Sequence, residues 1–265
     1  MPNLNKRQGD IYHIIQERES VEVHDLIAMF DVSAATIRKD LTLLEQSGLV
    51  FRTHGEVHIA NQNERILSFE SRSSLRTEAK KAIAQEAVKA IHEGDSIILD
   101  SGSTTLAIAE LLRDFQHLTV ITNSVPAALT LNNTQLLVIM VGGILHGQNL
   151  SIQGPEAEKY LSQIEADKAF ICSSGVRKDV GLVTSNSLEG RVKHCMIKAA
   201  HKVYAVLDSA KFTTGGIDLF ADFSELDCVI TEKPIQDPAI QARLQALGTE
   251  VIVAEGQRRP RRQPV

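Results

Sequence analysis

From residue 96 to residue 253 the chain alternates short apolar runs with segments whose apolar residues recur at helical spacing. Strands that alternate with helices in this way form mostly parallel sheets covered by helices on both faces. We expect strands over residues 96–99, 118–122, 136–141, 168–172, 203–207, 227–231 and 250–253, and helices over 78–92, 103–112, 125–131, 156–164, 188–200 and 238–247. The pattern therefore predicts an α/β domain over residues 76–254.

The first 58 residues have a different pattern, with three helical segments and short strands. Helical spacing predicts helices over residues 6–18 and 24–30, and a third helix begins after a short turn at Ser33, a favourable N-cap residue. Gly48 is suited to ending this helix, and a strand over residues 49–53 follows. Helices, a tight turn and a two-stranded ribbon in this order are typical of a winged helix-turn-helix, in which the third helix enters the DNA major groove.

The spacing of the third helix permits two interpretations. Thr36, Arg38 and Lys39 lie off its apolar stripe in the first turns, where an inserted helix end would meet bases and phosphates. An ordinary amphipathic surface helix with a capped start has the same spacing. Periodicity alone favours this simpler interpretation, so it leaves DNA binding open.

Charge does not decide between these interpretations. The formal net charge is −5, and residues 1–55 contain six lysines and arginines against eight aspartates and glutamates. Recognition of nucleic acid must then depend on where the cations lie. Arg38, Lys39, Arg52 and His54 cluster in the proposed helix and wing.

Composition argues against a membrane protein and a disulfide-bonded one. No apolar run approaches the roughly 18 residues that a membrane helix requires, and the N-terminus lacks an apolar signal-peptide core, so we expect a cytoplasmic protein. Cys172, Cys195 and Cys228 are widely spaced and form no CxxC pair, which argues against a structural zinc site. We expect neither a metal nor a cofactor.

Asp100 to Thr105 (DSGSTT) follow a predicted buried strand and begin a helix. Ligands of parallel sheets collect beyond the carboxyl ends of the strands. A turn of this composition offers backbone N–H groups, hydroxyls and the positive end of a helix dipole to an anion. Because capped strand–helix turns are common, a purely structural role is equally consistent with this segment.

Other strand ends add polar groups at the same edge of the predicted sheet. Asn123, Gly143, Asp208 and Lys211 all follow predicted strands. Lys211 could pair with a phosphate, and Asp208 could accept hydrogen bonds from sugar hydroxyls. A helix cap for Asp208 and a solvated side chain for Lys211 are the alternatives.

Specific motifs add a family resemblance to these patterns. The segment VEVHDLIAMFDVSAATIRKDLTLLEQSGLVFRTHG resembles the DNA-binding region of DeoR-type bacterial transcription regulators through VxxxDL, the VS pair, TIRxDL, LExxG and RxHG. The segments ILDSGSTT, VITNS, VGG, DKAF, the series Asn186…Glu189…Lys193…Met196 and LDSAKF resemble, in order, the effector domain of the same family. The resemblance spans nearly the whole chain, and it reverses the preference for an ordinary surface helix.

The resemblance implies a fold similar to ribose-5-phosphate isomerase in the larger domain and a pocket for a phosphorylated sugar or sugar alcohol. Matched by position, the DNA-binding residues would be Ser33, Ala34, Ala35, Thr36, Arg38, Lys39, Arg52 and His54. The effector-binding residues would be Lys80, Asp100, Gly102, Ser103, Thr104, Thr105, Asn123, Gly143, Glu189, Asp208 and Lys211. The chain departs from the family pattern at Glu56 in the wing, where glycine is usual, and at Ser174 and Ser187, where acidic residues are common.

These observations predict a sugar-responsive transcription factor, most simply a repressor of a catabolic operon. Its partners would be a double-stranded DNA operator, a phosphorylated sugar effector and further copies of the chain in a dimer or tetramer. We expect a winged helix-turn-helix over residues 1–58, a linker over 59–75 and a basic, disordered tail over 255–265. The alternatives are an activator and a phosphosugar isomerase or transferase with an appended head, although no acid–base pair, P-loop or nucleophile motif is present.

Overall fold

The computed structural model describes residues 4–18, 20–46, 49–52, 55–59 and 69–254. It divides the chain into an N-terminal unit, Met1–Leu75, and a C-terminal unit, Arg76–Val265. The predicted tail over 255–265 and the helix end at Gly48 lie outside the described residues. Within the described ranges, no helix is both long and apolar enough to cross a bilayer.

As far as its third strand the N-terminal unit has the predicted order of helices and strands, and it adds a fourth helix that was not predicted. Its elements are α1 (Lys6–Arg18), β1 (Ser20–Glu22), α2 (Val23–Met29), α3 (Ala34–Gln46), β2 (Val50–Arg52), β3 (Glu56–Ile59) and α4 (Phe69–Ser74). The three strands form an antiparallel sheet in the order β1-β3-β2. Ile37, Leu41 and Leu44 of α3 are fully buried against residues of α1 and α2. The predicted apolar stripe is therefore the inner face of α3.

A buried carboxylate joins α3 to α1. Asp40 of α3 is 3% exposed. Arg7 donates from Nε to its Oδ2 at 2.6 Å, and Gln8 donates from Nε2 to its Oδ1 at 3.0 Å. A buried carboxylate is tolerated only when it is paired and hydrogen-bonded. The aspartate of the TIRKDL motif thus fixes the orientation of α3, and it does not face outward.

The segment predicted as a linker contains a helix. Residues 56–59 belong to β3, and α4 covers Phe69–Ser74, within the range 59–75 predicted as a linker. Because the sequence there is polar and α4 is less than two turns long, its helical periodicity is too short to detect. The residues between β3 and α4 lie outside the described part.

The C-terminal unit is built around one parallel sheet. Its elements are α5 (Thr77–Val88), β4 (Ser96–Leu99), α6 (Ser103–Leu111), β5 (Thr119–Thr122), α7 (Val125–Thr130), β6 (Leu137–Met140), β7 (Ile144–His146), β8 (Ser151–Gln153), α8 (Pro155–Leu161), β9 (Ala166–Ile171), β10 (Gly175–Arg177), β11 (Gly181–Thr184), α9 (Ser187–Lys198), β12 (Ala200–Val206), β13 (Asp218–Asp222), β14 (Cys228–Thr231), α10 (Pro238–Leu247) and β15 (Glu250–Val253). Seven strands pair in parallel in the order β15-β14-β12-β9-β4-β5-β6. The predicted α/β class is confirmed.

Both faces of this sheet are apolar. Ile97 and Leu99 of β4 pack in one buried cluster, whereas Ile98 packs in the other. Neighbouring residues of a strand point to opposite faces. A continuous apolar strand is therefore covered on both sides, as the alternating sequence predicted.

The order of strands places a switch point at β4. From β4 the chain proceeds to β5 and β6 on one side, and it later enters β9 on the other side. Connections leave such a point in opposite directions, which opens a crevice at the carboxyl ends of the two central strands. The loop after β4, which contains the DSGSTT segment, begins at this crevice.

Five short strands were not predicted from the sequence. β7 and β8 form an antiparallel hairpin, and β10, β11 and β13 form a separate antiparallel sheet. They contain three to five residues each, and several contain polar residues or glycine. Such strands lack the long apolar run by which the parallel strands were recognised.

We predict that Asp40→Ala lowers the free energy of unfolding of the N-terminal unit by about 2 kcal/mol, since a hydrogen bond to a charged group contributes roughly 1.5–3 kcal/mol. Urea denaturation followed by circular dichroism measures the loss. Asp31→Ala, which removes an exposed carboxylate from the preceding turn, is the matched control and should change stability by less than about 0.5 kcal/mol. Equal losses in the two variants would contradict the role assigned to Asp40.

Candidate DNA-binding and effector sites

The N-terminal turns of α3 present the residues predicted to contact DNA. Ser33 caps the helix, because its Oγ accepts a hydrogen bond from the Thr36 N–H at 3.2 Å. Ala35, Arg38 and Lys39 are exposed. With the opposite face of α3 buried in the core, these residues form an outward surface that combines small side chains with two cations.

The structure gives Arg52 a protein partner. Its guanidinium donates from Nη2 and Nε to Oε2 of Glu45, at 2.6 and 3.0 Å, and from Nη2 to the Thr42 hydroxyl at 3.1 Å. These contacts join β2 to α3, and the charge of Arg52 is thereby neutralised within the unit. Its contact with DNA stays a prediction, and His54 lies outside the described residues.

In the C-terminal unit, the loop after β4 is held by its own side chains. The hydroxyl of Thr105 accepts a hydrogen bond from the Gly102 N–H at 2.8 Å and lies 2.5 Å from the carbonyl oxygen of Asp100. A Cβ added to Gly102 would lie 2.2 Å from Sγ of Cys172, so only glycine fits there. Thr105 and Gly102 therefore shape the loop, whatever it binds.

A buried charge cluster lies behind the loop. Asp100 and Lys193 form an ion pair and are 0% and 1% exposed at the side chain. Lys193 also lies 3.3 Å from Glu189, one turn earlier on α9, and Glu189 accepts a hydrogen bond from Asn149 at 3.1 Å. The cluster connects the end of β4, helix α9 and the β7–β8 turn.

The ionisation of this cluster follows from its contacts. Burial alone would raise the pKa of Asp100, but the charge and hydrogen bond of Lys193 hold this pKa below its usual value. Burial would lower the pKa of Lys193, yet attraction to Asp100 and Glu189 raises it. Burial, together with Asp100, raises the pKa of Cys172 to about 12. Asp100 and Lys193 are therefore charged at neutral pH, and Cys172 is a neutral thiol that donates to Asp100.

Asp100 also bridges the two central strands. The backbone N–H of Cys172, immediately after β9, donates to Oδ2 of Asp100 at 3.0 Å, and the Ser101 N–H donates to Oδ1 at 2.7 Å. Both carboxylate oxygens are thus engaged by the protein. The predicted effector contact of Asp100 stays a prediction, but the structure gives this residue an organising role at the switch point.

Several polar atoms at the ends of β4 and β5 have no hydrogen-bond partner in the part of the chain that the structure describes. Among the described residues, Oγ of Ser101 and Oδ1 of Asn123 are buried without a hydrogen bond. The hydroxyls of Ser103 and Thr104, in the first turn of α6, also make no hydrogen bond to any residue that the structure describes. Buried polar atoms are rarely left unpaired unless a water or ligand completes them. The arrangement suits a polar ligand at the N-terminus of α6.

The remaining predicted residues lie on neighbouring elements. Asp208 follows β12, two places from β4 in the sheet order, where it caps a short 3-10 helix (Ser209–Thr213) and accepts a hydrogen bond from Arg76 at 3.3 Å. Lys211 lies in that 3-10 helix, and Lys80 is buried on α5. Gly143 has φ +142°, and a Cβ there would lie 2.6 Å from a backbone oxygen of the β7–β8 hairpin. Its role is therefore to permit close approach of the backbone.

Two open surface depressions, of about 450 and 360 Å³, lie around Glu110–Gln135 and around Ile197–Asp227 and contain none of the predicted effector residues. Wide, shallow depressions lack the convergent buried polar groups of a ligand site, so the polar atoms at the ends of β4 and β5 are the better candidate. In the described part of the chain, no three His, Cys, Asp or Glu side chains are grouped to hold a metal ion.

Two residues of the buried charge cluster, Lys193 and Asn149, were not predicted as site residues from the sequence. Lys193 appeared only as part of a motif, although its i, i+4 spacing from Glu189 was a usable signal. Asn149 lies in a hairpin that had no recognisable pattern. Neither its burial nor its contact with Glu189 could be inferred without the fold.

Comparison with known proteins identifies the family. Residues 7–63 match the model of the DeoR-like helix-turn-helix domain, and residues 75–233 match that of the DeoR C-terminal sensor domain. The chain belongs to the DeoR family of transcriptional regulators. It is therefore a DNA-binding regulator with a sensor domain for a small effector, and the enzyme alternative is excluded, because the family is not enzymatic.

Relatives match along nearly the full chain. The chain is 32% identical to the HTH-type transcriptional regulator GolR of Listeria innocua, over 94% of this chain and 98% of that protein. It is 29% identical to the HTH-type transcriptional repressor CsqR of Escherichia coli, over 95% and 96% of the two chains. It is 30% identical to an L-fucose operon activator of Haemophilus influenzae, over 88% and 94%.

Among solved structures, ribose 5-phosphate isomerase A of Methanocaldococcus jannaschii has a TM-score of 0.38 to this chain. The match has 18% identity and covers 50% of this chain and 53% of that one.

We predict that Lys193→Met lowers the free energy of unfolding of the C-terminal unit by about 3–5 kcal/mol, the cost of leaving a buried charge without its partner. Asp100→Asn should cost less, because Lys193 retains Glu189. Since the pKa of Asp100 is depressed by folding, the pair stabilises above the ordinary aspartate pKa of about 3.9 and loses this effect as pH falls through the depressed value. Urea denaturation at pH 7 compares the two variants, and a loss in Asp100→Asn as large as that in Lys193→Met would refute the first statement. Repeating the Asp100→Asn measurement at pH 3, below the ordinary aspartate pKa, tests the second, which an equal loss at both pH values would refute.

Proposed function

We propose that this DeoR-family protein represses a sugar or sugar-alcohol catabolic operon and leaves its operator when a phosphorylated sugar binds at the carboxyl ends of β4, β5 and β9. The observation that carries the proposal is the set of unpartnered polar atoms at the N-terminus of α6. Ser101, Ser103, Thr104 and Asn123 supply them. Backbone N–H groups at a helix N-terminus favour an anion such as phosphate.

The charges of the buried cluster suggest how a phosphorylated sugar would be oriented in the site. Asp100, Glu189 and Lys193 together carry one net negative charge, so this cluster repels a phosphate. The phosphate would instead meet the loop from Ser101 to Thr105, with Lys80 and Lys211 as the predicted cations. The carboxylate of Glu189 retains lone pairs for hydroxyl donors. We place the hydroxylated carbon chain of the effector on that side.

The DNA contacts proposed for the N-terminal unit are Ser33, Ala34, Ala35, Thr36, Arg38 and Lys39, with Arg52 and His54 from the wing. One such helix covers a short stretch of major groove, so a specific operator requires two or more copies of the chain. We propose a dimer or tetramer. Binding of the effector would favour a state with lower affinity for DNA, which is a population shift between two states.

The relatives include both kinds of regulator, since one is named a repressor and another an activator. We favour repression, because an oligomer on its operator can exclude polymerase without any further contact. Activation would require an additional surface that contacts polymerase.

We predict that Arg38→Ala and Lys39→Ala each weaken operator binding and reduce the slope of log K against log salt concentration by about 0.9 for each lost phosphate contact. Mobility-shift titrations on the DNA upstream of the protein's own gene, at several salt concentrations, measure both effects. Lys6→Ala, at an exposed cation of α1, is the control and should leave the slope unchanged. Binding that does not distinguish this DNA from random DNA would defeat the proposal.

We predict that Thr104→Val reduces the effector response without lowering stability, because the Thr104 hydroxyl has no described protein partner. Thr105→Val should instead lower the melting temperature, because its hydroxyl is engaged within the loop. Thermal-shift measurements with ribose 5-phosphate, fructose 6-phosphate, glucitol 6-phosphate and inorganic phosphate test the pair. An unchanged response in Thr104→Val, with the wild type stabilised by one of these compounds, would place the ligand elsewhere.

A further inference from the structure

The β7–β8 hairpin lies across the end of β5. The Ile152 N–H donates to the Asn123 carbonyl at 2.8 Å, and Nδ2 of Asn123 donates to the Ile152 carbonyl at 3.0 Å. The Val125 N–H donates to the Leu150 carbonyl at 3.0 Å. The hairpin is therefore fixed directly beside the unpartnered Oδ1 of Asn123.

The inner residues of this hairpin are polar and buried. Asn149, Ser151 and Gln153 are 3%, 0% and 1% exposed, and Nδ1 of His146 is a buried atom with no hydrogen-bond partner among the described residues. Burial of polar side chains in a short hairpin opposes stability unless each finds a partner. Nε2 of Gln153 donates to Oγ of Ser151 at 3.1 Å, and Asn149 contacts Glu189. These buried side chains therefore form hydrogen bonds next to the proposed effector site.

Asn149 fixes the orientation of a carboxylate. Its Nδ2 donates to Oε2 of Glu189 at 3.1 Å, while Lys193 lies 3.3 Å from Oε1. Glu189 is thus held from two directions, one on the hairpin and one on its own helix. A carboxylate accepts about four hydrogen bonds, so each oxygen keeps capacity for a hydroxyl donor in a fixed direction.

We infer that Asn149 is a specificity-determining residue of the sensor, which positions Glu189 to select the hydroxyl pattern of the effector. The inference rests on the proposed function. In this arrangement the loop after β4 binds the phosphate, and the pair Asn149–Glu189 distinguishes one sugar or polyol phosphate from another. Inorganic phosphate, which has no carbon chain, is bound independently of Asn149.

The test compares the full-length wild type with Asn149→Asp and Asn149→Ala. Asn149→Asp preserves the shape of the side chain but replaces the donor with a second carboxylate facing Glu189. Gln148→Ala, an exposed amide at the neighbouring position, is the matched control. Half-saturating concentrations are measured by thermal shift for the three sugar phosphates and inorganic phosphate, each relative to the melting temperature of the same variant without ligand. Operator binding without ligand reports that the variants are folded.

We expect both Asn149 variants to raise the half-saturating concentration of the preferred sugar phosphate by about tenfold or more, as for the loss of a hydrogen bond to a charged group. The value for inorganic phosphate should change by less than about twofold, and Gln148→Ala should resemble the wild type. Unchanged preference in Asn149→Asp, or equal weakening of sugar phosphate and inorganic phosphate, would overturn the inference alone. A wild type that responds to none of the four compounds would overturn the proposed function as well.

Discussion

The ion pair between Asp100 and Lys193 is the interaction on which the sensor site depends. A carboxylate that is fully buried at the end of β4 requires a cation and hydrogen-bond donors to remain charged. Lys193 provides the cation from 93 residues further along the chain, and the backbone after β9 provides a donor. The pair therefore joins both sides of the switch point and fixes the start of the DSGSTT loop. Without this pair, the loop proposed to bind the effector would lose the contact that holds its first residue.

The N-terminal unit uses its charges in a related way. Asp40 accepts hydrogen bonds from Arg7 and Gln8, and Arg52 forms an ion pair with Glu45. These paired charges therefore hold α3 against α1 and against β2. Arg38 and Lys39 remain exposed on α3, so a domain with an excess of acidic residues still has two cations on the outer surface of this helix. The positions of the charges matter more than their sum, because salt screens distant charges and a phosphate interacts most strongly with charges close to it.

The β7–β8 hairpin shows how a short element can connect distant parts of the sensor. Its backbone bonds to the end of β5, and Asn149 reaches Glu189 on α9. Its outer residues Ile144 and Leu145 are 58% and 55% exposed. In the register of the hairpin Ile144 lies opposite Gln153, whereas Leu145 lies opposite Ile152. The hairpin therefore joins the end of β5 to α9 and leaves two apolar side chains exposed.

The sequence by itself determined the α/β class, the apolar stripe and capped start of α3, and the position of the DSGSTT loop at a strand end. These features follow from periodicity and capping, which involve residues close together in the chain. Only the tertiary structure decided that Lys193 neutralises Asp100, that Arg52 pairs with Glu45, and that Asn149 fixes Glu189. Such pairings join residues on separate elements, so they depend on how the elements pack. The hairpin that contains Asn149 was missed for a second reason, since two three-residue strands with polar side chains have no periodic signal of their own.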